Sequence, residues 1–128
     1  MFECRADGAT VVAMSKPLGP YSPVVRAGDW IITSGQLGLA DGKLVEGGVK
    51  GETAQVLQNV SDRLAEFGAE LTDVVKTLCI LTDLADFADF NEVYAGVFGE
   101  HRPARSTMGG ALVAGAHVEI EAWAYKPA

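Results

Sequence analysis

Arg105 stands in the run Pro103-Ala104-Arg105-Ser106-Thr107, and fourteen residues later Glu119 falls in the strand-like run Val118-Glu119-Ile120-Glu121-Ala122-Trp123. A guanidinium is a planar fork that holds a small carboxylate through two parallel hydrogen bonds. A carboxylate on a neighbouring strand can pass protons to and from whatever the fork holds. No other pair of opposite charges in the chain is set in comparably apolar surroundings. The same two residues would also make an ordinary structural ion pair beside a turn, and spacing alone leaves both readings open.

Other chemistries find no support in the residues. There is no G-x-S-x-G, and Thr33-Ser34-Gly35-Gln36 is not a nucleophile elbow. Gly47-Gly48-Val49-Lys50-Gly51 has neither P-loop nor dinucleotide spacing. Gly109-Gly110 reads as a turn or bulge. The only cysteines are Cys4 and Cys79, with no CxxC, and His101 and His117 stand apart from them, so no metal site is expected. Cys79 lies in an apolar run and is expected to be a buried free thiol. A net charge of −7 repels phosphate backbones and anionic membrane surfaces, and no basic stripe interleaved with aromatics is present. No run of about 18 apolar residues exists to span a membrane. Met1 to Met14 carries Glu3, Arg5 and Asp7 and is not a signal peptide. A cytoplasmic protein without cofactor, working on a small anion, is the expectation.

At 128 residues the chain is expected to form one domain over 1–128, with 1–15 as an N-terminal extension and first strand. That strand is Thr10 to Met14. Lys16 to Pro23 contains three prolines and must be irregular, either presenting Tyr21 or packing it away. Val24-Val25-Arg26 and Trp30 to Gly35 read as a hairpin turning at Gly28-Asp29, and Asp41-Gly42-Lys43 is a second turn. Gly51 to Phe67 has helical spacing at Ala54, Leu57, Val60, Leu64 and Phe67, with Glu52 suited to the positive helix end and Gly68 to the C′ position. Asp73 to Thr82 is a strand apolar on both faces, which predicts that both are covered. Asp86 is placed to cap a second helix whose stripe is Phe87, Phe90, Tyr94, Val97 and Phe98. Arg105 to Leu112 and His117 to Tyr125 close the chain as strands.

The resulting order, β-β-β-α-β-α-β-β, is an α+β fold with a mixed sheet and both helices on one face. In the last strand Val118, Ile120, Ala122 and Ala124 suit the helix side. Glu119, Glu121, Trp123 and Tyr125 then face the other way, with Trp30, Ile32 and Ser34 near them. An open face bearing two Trp is a liability unless another subunit covers it, so a homo-oligomer is expected with its carboxylates near the interfaces, the alternative being a monomer with a half-wet face.

Several motifs occur in the order found in a known family: Gly19-Pro20-Tyr21-Ser22, Trp30 to Gln36, Val74-Val75-Lys76-Thr77, Leu81-Thr82-Asp83-Leu84, Phe90 to Tyr94, Pro103-Ala104-Arg105-Ser106 and Val118 to Ala122. Over residues 16–126 the chain resembles the Rid proteins, the reactive-intermediate enamine/imine deaminases also labelled the L-PSP endoribonuclease family. The resemblance implies a chorismate-mutase-like fold and a homotrimer with active sites between subunits. It implies that Arg105 binds the substrate carboxylate and that Glu119 positions and activates water. It implies that Tyr21 lines the pocket, with Ser34 and Asn91 as further pocket or support positions. Thr107 stands where many relatives have Cys, so a thiol is absent there while a backbone role is retained. The segment from Glu100 to Pro103 is short and brings Arg102 close by, Met108-Gly109-Gly110 replaces a bulkier stretch, and the N-terminal extension is longer.

The implied substrates are 2-imino or 2-amino-enoic acids such as 2-iminopropanoate or 2-aminoacrylate, hydrolysed to 2-keto acids and ammonia. Two alternatives accompany this reading: a non-catalytic metabolite-binding or chaperone-like trimer, and an RNA-cleaving enzyme. The acidic charge and the missing stacking groove disfavour the last.

Overall fold

The computed structural model describes the backbone over residues 2–6, 9–14 and 19–128, and side chains over 19–128. Lys16, Pro17 and the Cys4 side chain therefore lie outside the described residues.

The N-terminal hairpin pairs β1 (Phe2–Ala6) antiparallel with β2 (Ala9–Met14), so the expected extension carries a strand of its own. β3 (Val24–Ala27) and β4 (Trp30–Thr33) form the expected hairpin at Gly28-Asp29, where Gly28 has φ 61°. β5 (Gln36–Leu37) follows, and β6 (Leu39–Ala40) and β7 (Lys43–Leu44) fold back on each other at Asp41-Gly42. The remaining elements are α1 (Gly48–Ala65), β8 (Val74–Leu81), α2 (Phe87–Phe98), β9 (Ala104–Gly109) and β10 (Val118–Tyr125). The expected order thus holds for the long elements, with β1, β5, β6 and β7 added.

The main sheet runs β1-β2-β3-β4-β10-β8-β9, and β5 pairs with β10 beyond the end of β4. Only β8 and β9 are parallel; the other pairs are antiparallel, giving a mixed sheet. The parallel pair follows from chain path, because α2 carries the chain from the end of β8 back to the start of β9.

Both helices lie on one face and share one core with the sheet. Val56, Leu57, Val60 and Leu64 of α1, Phe90, Tyr94 and Phe98 of α2, and Val118, Ile120, Ala122 and Ala124 of β10 are all buried in it. Helix α1 starts three residues before the expected Gly51, entered through Gly47 and Gly48 at φ 104° and 62°. Its stripe is Val49, Thr53, Val56, Leu57, Val60 and Leu64, while Ala54 is exposed. Thr53 can be buried because its hydroxyl donates to the Val49 carbonyl at 2.6 Å. Glu52 does not serve the helix end: it is 2% exposed and bonded to His117. Asp86 makes no side-chain cap. Instead Asp83 accepts from the Ala85 N–H at 2.9 Å, capping the short turn Leu84–Asp86 that leads into α2.

The prediction that both faces of β8 are covered fails within one chain. Val74, Thr77, Cys79 and Leu81 are buried, but Leu78 and Ile80 are only partly covered. That second face also carries Trp123 opposite Ile32 and Tyr125 opposite Trp30. Trp30 and Tyr125 meet edge to face at 5.2 Å between centroids, and both remain exposed. Helix packing thus leaves one apolar side of the sheet open, as the alternation in β10 predicted.

Candidate active site

Arg105 lies on β9 in register with Thr77, which is in register with Ala122 on β10. All three belong to the helix side of the sheet. The guanidinium carbon sits 4.9 Å from the Tyr94 ring centroid, 5.3 Å from Phe90 and 5.6 Å from Phe87. Tyr94 is held in turn by a 2.7 Å hydrogen bond between its hydroxyl and that of Thr77. Aromatic faces attract the cation and keep water off its flanks. Among the described residues Arg105 forms no ion pair with any carboxylate. The structural salt bridge that spacing had left open is therefore absent.

Thr107, two residues on along β9, shares the Arg105 side of the strand, and Asn91 lies on α2 next to Phe90. The Thr107 Oγ1 and Asn91 Oδ1 atoms are buried with no hydrogen-bond partner. Unpaired buried polar atoms cost about 1–3 kcal/mol each, so such groups are retained where something else satisfies them.

Glu119 is on the opposite side of the sheet. It pairs with Ile80 and Leu37, and its side chain alternates with the buried Val118 and Ile120. The expected pairing of Arg105 and Glu119 across neighbouring strands therefore does not form within one chain. β8 separates β9 from β10, and the two side chains leave the sheet in opposite directions.

Glu119 instead lines a cavity of about 580 Å³ together with Tyr21, Pro23, Gly35, Leu37 and Val113. Its carboxyl packs directly on Gly35, where a Cβ would come within 2.5 Å of the Glu119 Cδ. Only glycine permits that approach. Burial, and secondarily the charge of Glu121 two residues on, raises the Glu119 carboxyl above the ordinary glutamate range. Glu121 is raised as well, by burial.

Tyr21 is 46% exposed and faces the same cavity, so the proline-rich segment presents this ring rather than packing it away. Ser34 does not line the cavity. Its hydroxyl donates to the Ser22 carbonyl at 2.5 Å and its N–H to the Pro23 carbonyl at 2.8 Å, tying the Tyr21 segment to the end of β4. Cys79 is fully buried and free, its thiol pushed up to about 11 by burial, and it belongs to the core.

Several residues of this region were not singled out from sequence. Gly35 belongs to the Trp30–Gln36 motif, where the sequence alone assigns it no role. Asn59 and Arg63 also line the cavity from α1, one turn apart. The Asn59 amide donates to the Leu37 and Leu39 carbonyls at 2.9 Å each, fastening the β5–β6 segment to the helix. Glu52 accepts the His117 N–H at 2.8 Å and also bonds His117 Nδ1, which anchors the start of β10 just before Glu119. The polar Asn59-x-x-x-Arg63 spacing on an otherwise amphipathic helix was the one legible signal for that wall.

The family model described as Endoribonuclease L-PSP matches residues 12–126. A RutC family protein of Pyrococcus abyssi is 43% identical over 114 residues, covering 87% of this chain and 90% of the relative. A human protein named 2-iminobutanoate/2-iminopropanoate deaminase is 42% identical over 108 residues, covering 82% and 79%. Among solved structures, E. coli TdcF with bound serine superposes with a TM-score of 0.81 at 34% identity, covering 86% of this chain and 91% of that one. The chain belongs to the L-PSP endoribonuclease family, the Rid family to which its motifs pointed.

Among the described residues no helix is long and apolar enough to cross a membrane. No group of three or more His, Cys, Asp or Glu side chains converges among them.

Proposed function

We propose that the protein is a cofactor-free hydrolase that deaminates reactive 2-imino and 2-enamino acids to 2-keto acids and ammonia. The observation that carries this reading is Arg105: a guanidinium among three aromatic rings that pairs with no carboxylate among the described residues. Such a group is kept ready for an anion that is not part of the chain. The names of the relatives at 42–46% identity support the same chemistry.

In this reading the site is completed between copies of the chain, in a homotrimer of chorismate-mutase-like subunits in the cytoplasm. One subunit supplies Arg105 with Asn91 and Thr107. The next supplies Glu119 and Tyr21, with Ser34 holding the Tyr21 segment. The open sheet face bearing Trp30, Trp123 and Tyr125 supports such an assembly, because contact between copies would cover it.

Arg105 grips the substrate carboxylate and sets the C=N carbon in place. An enamine first takes a proton on its β-carbon to become the protonated imine. Water held by Glu119 gives that carboxylate a proton as its oxygen bonds to the carbon of the protonated imine, and the C=N electron pair moves to nitrogen, leaving a neutral carbinolamine. The carbinolamine then expels ammonia, Glu119 returning its proton to the leaving nitrogen and the hydroxyl proton passing to solvent as C=O forms. A base above the ordinary glutamate range holds the water proton more firmly while it is in transit.

A second reading, a trimer that binds small metabolites without turnover, is favoured by one observation: a structural relative was solved with serine bound. RNA cleavage, the activity in the family's description, is opposed by the net charge of −7.

The test generates an imine in situ with an amino acid oxidase and lets semicarbazide compete with the protein for it. Wild type should suppress the trapped product. Arg105→Ala should lose about a hundredfold or more in kcat/KM while keeping its oligomeric state. Wild type that performs no better than buffer would remove the deaminase reading and favour the metabolite-binding one.

A further inference from the structure

Among the described residues, the cavity that holds Glu119 has one anionic lining residue, Glu119, and one cationic one, Arg63. Arg63 stands in the last turn of α1, one turn after Asn59, whose amide fastens the cavity's β5–β6 wall. Its Nε donates to Glu66 Oε2 at 2.6 Å, and its side chain is only 29% exposed. That bond fixes one corner of a group with five N–H donors, so the guanidinium is oriented in advance of any ligand. The rest of the lining is uncharged: apolar at Pro23, Leu37, Leu39 and Val113, polar at Gln36 and Asn59, with the Tyr21 ring and glycines. In a single chain this cavity is about 580 Å³, room that the Arg105 half of a second copy shares with the substrate in the assembly proposed above. Its one cation stands on α1, apart from Glu119 on β10 in sequence and in element.

We propose that Arg63 is a specificity residue that binds a second, distal carboxylate, so that the preferred substrates are imines of dicarboxylic amino acids. The proposal rests on the deaminase reading for its chemistry. Arg105 takes the carboxylate next to the imine carbon, Glu119 the water, and Arg63 the far end of the chain. Glu66 offsets part of the Arg63 charge, which keeps the site from closing on an anion too firmly to release it.

The experiment compares 2-iminosuccinate, made from aspartate by an aspartate oxidase, with 2-iminopropanoate, made from alanine. Each is offered to wild type, Arg63→Leu and Arg63→Lys in competition with semicarbazide. Wild type should favour 2-iminosuccinate. Arg63→Leu should lose about tenfold in kcat/KM on it, mostly through KM, with 2-iminopropanoate unchanged. Arg63→Lys should recover part of the loss. If wild type hydrolyses 2-iminopropanoate without favouring the dicarboxylic imine, and Arg63→Leu changes neither rate, the proposal is overturned and the deaminase reading stands. If wild type hydrolyses neither imine, the deaminase reading falls. Calorimetric titration with oxaloacetate and pyruvate then decides the anion site: tighter oxaloacetate binding that Arg63→Leu abolishes supports it, and equal binding overturns it.

Discussion

Arg105 is surrounded by rings, and Glu119 by backbone. On the helix side, three aromatic side chains of α2 flank the guanidinium, and the nearby Asn91 and Thr107 oxygens are left without partners. On the open side, the Glu119 carboxyl presses against Gly35 in a cavity walled mostly by apolar groups. The first half stabilises a cation by soft attraction, its N–H donors unpaired among the described residues. The second withholds solvent from an anion and so raises its proton affinity. Each half lacks what the other has, and the sheet stands between them. In a single chain, two complementary charges kept apart in this way would be a cost with no return. Brought together from two copies, as proposed above, they would make one site.

The sharpest way to break this comparison is to mix two dead proteins. Arg105→Ala keeps Glu119, and Glu119→Gln keeps Arg105; each alone should fall about a hundredfold or more. Co-refolded in equal amounts, they should regain about a quarter of wild-type activity, because one subunit junction in four carries both intact residues. No recovery in mixed oligomers would overturn the shared site.

A subtler change touches only the open side. Gly35→Ala places a methyl where the Glu119 carboxyl now lies and should cost about ten- to a hundredfold in kcat. Binding of a keto acid through Arg105 should persist, as equilibrium titration would show. Equal loss of both would mean that the halves are not separable.

The anchoring of β10 can be weakened without entering the cavity. Glu52→Ala leaves the His117 N–H without its acceptor and should lower stability by about 1–3 kcal/mol, read as a fall in Tm. The activity of the surviving folded protein should drop with it, because Glu119 follows two residues after His117.

The smallest effect concerns pH. Glu119 must be ionised to take a proton from water, so kcat/KM should rise with pH through a midpoint above that of an ordinary glutamate, as its burial dictates. Glu121→Gln removes the lesser of the two upward influences, and the acid limb should move to lower pH. An unmoved limb would mean that Glu121 does not sense the site.

Much of this was legible in the chain. Glycine at turns and the period of apolar residues placed the β3–β4 hairpin, α2 and β10 within a residue or two, because those signals are local. The alternation in β10 assigned Glu119 and Glu121 to the open face for the same reason. Spacing misplaced Ala54 and Glu52. A methyl group carries too little apolar area to declare a face, and a carboxyl can be buried when a partner 65 residues away donates a hydrogen bond to it. Short strands such as β5 have no period to read, and they exist because β10 extends past β4 and needs a partner.

The family, the class of fold and the two charged groups around which the chemistry is proposed were therefore legible in the residues alone. All of these are carried by residue types and short-range patterns. That Arg105 and Glu119 leave the sheet in opposite directions, that Ser34 braces rather than lines the cavity, and that Arg63 joins its wall emerged from the folded arrangement. Strand order and helix placement set those relations, and they come from packing the whole chain around one core, which no local run of residues encodes.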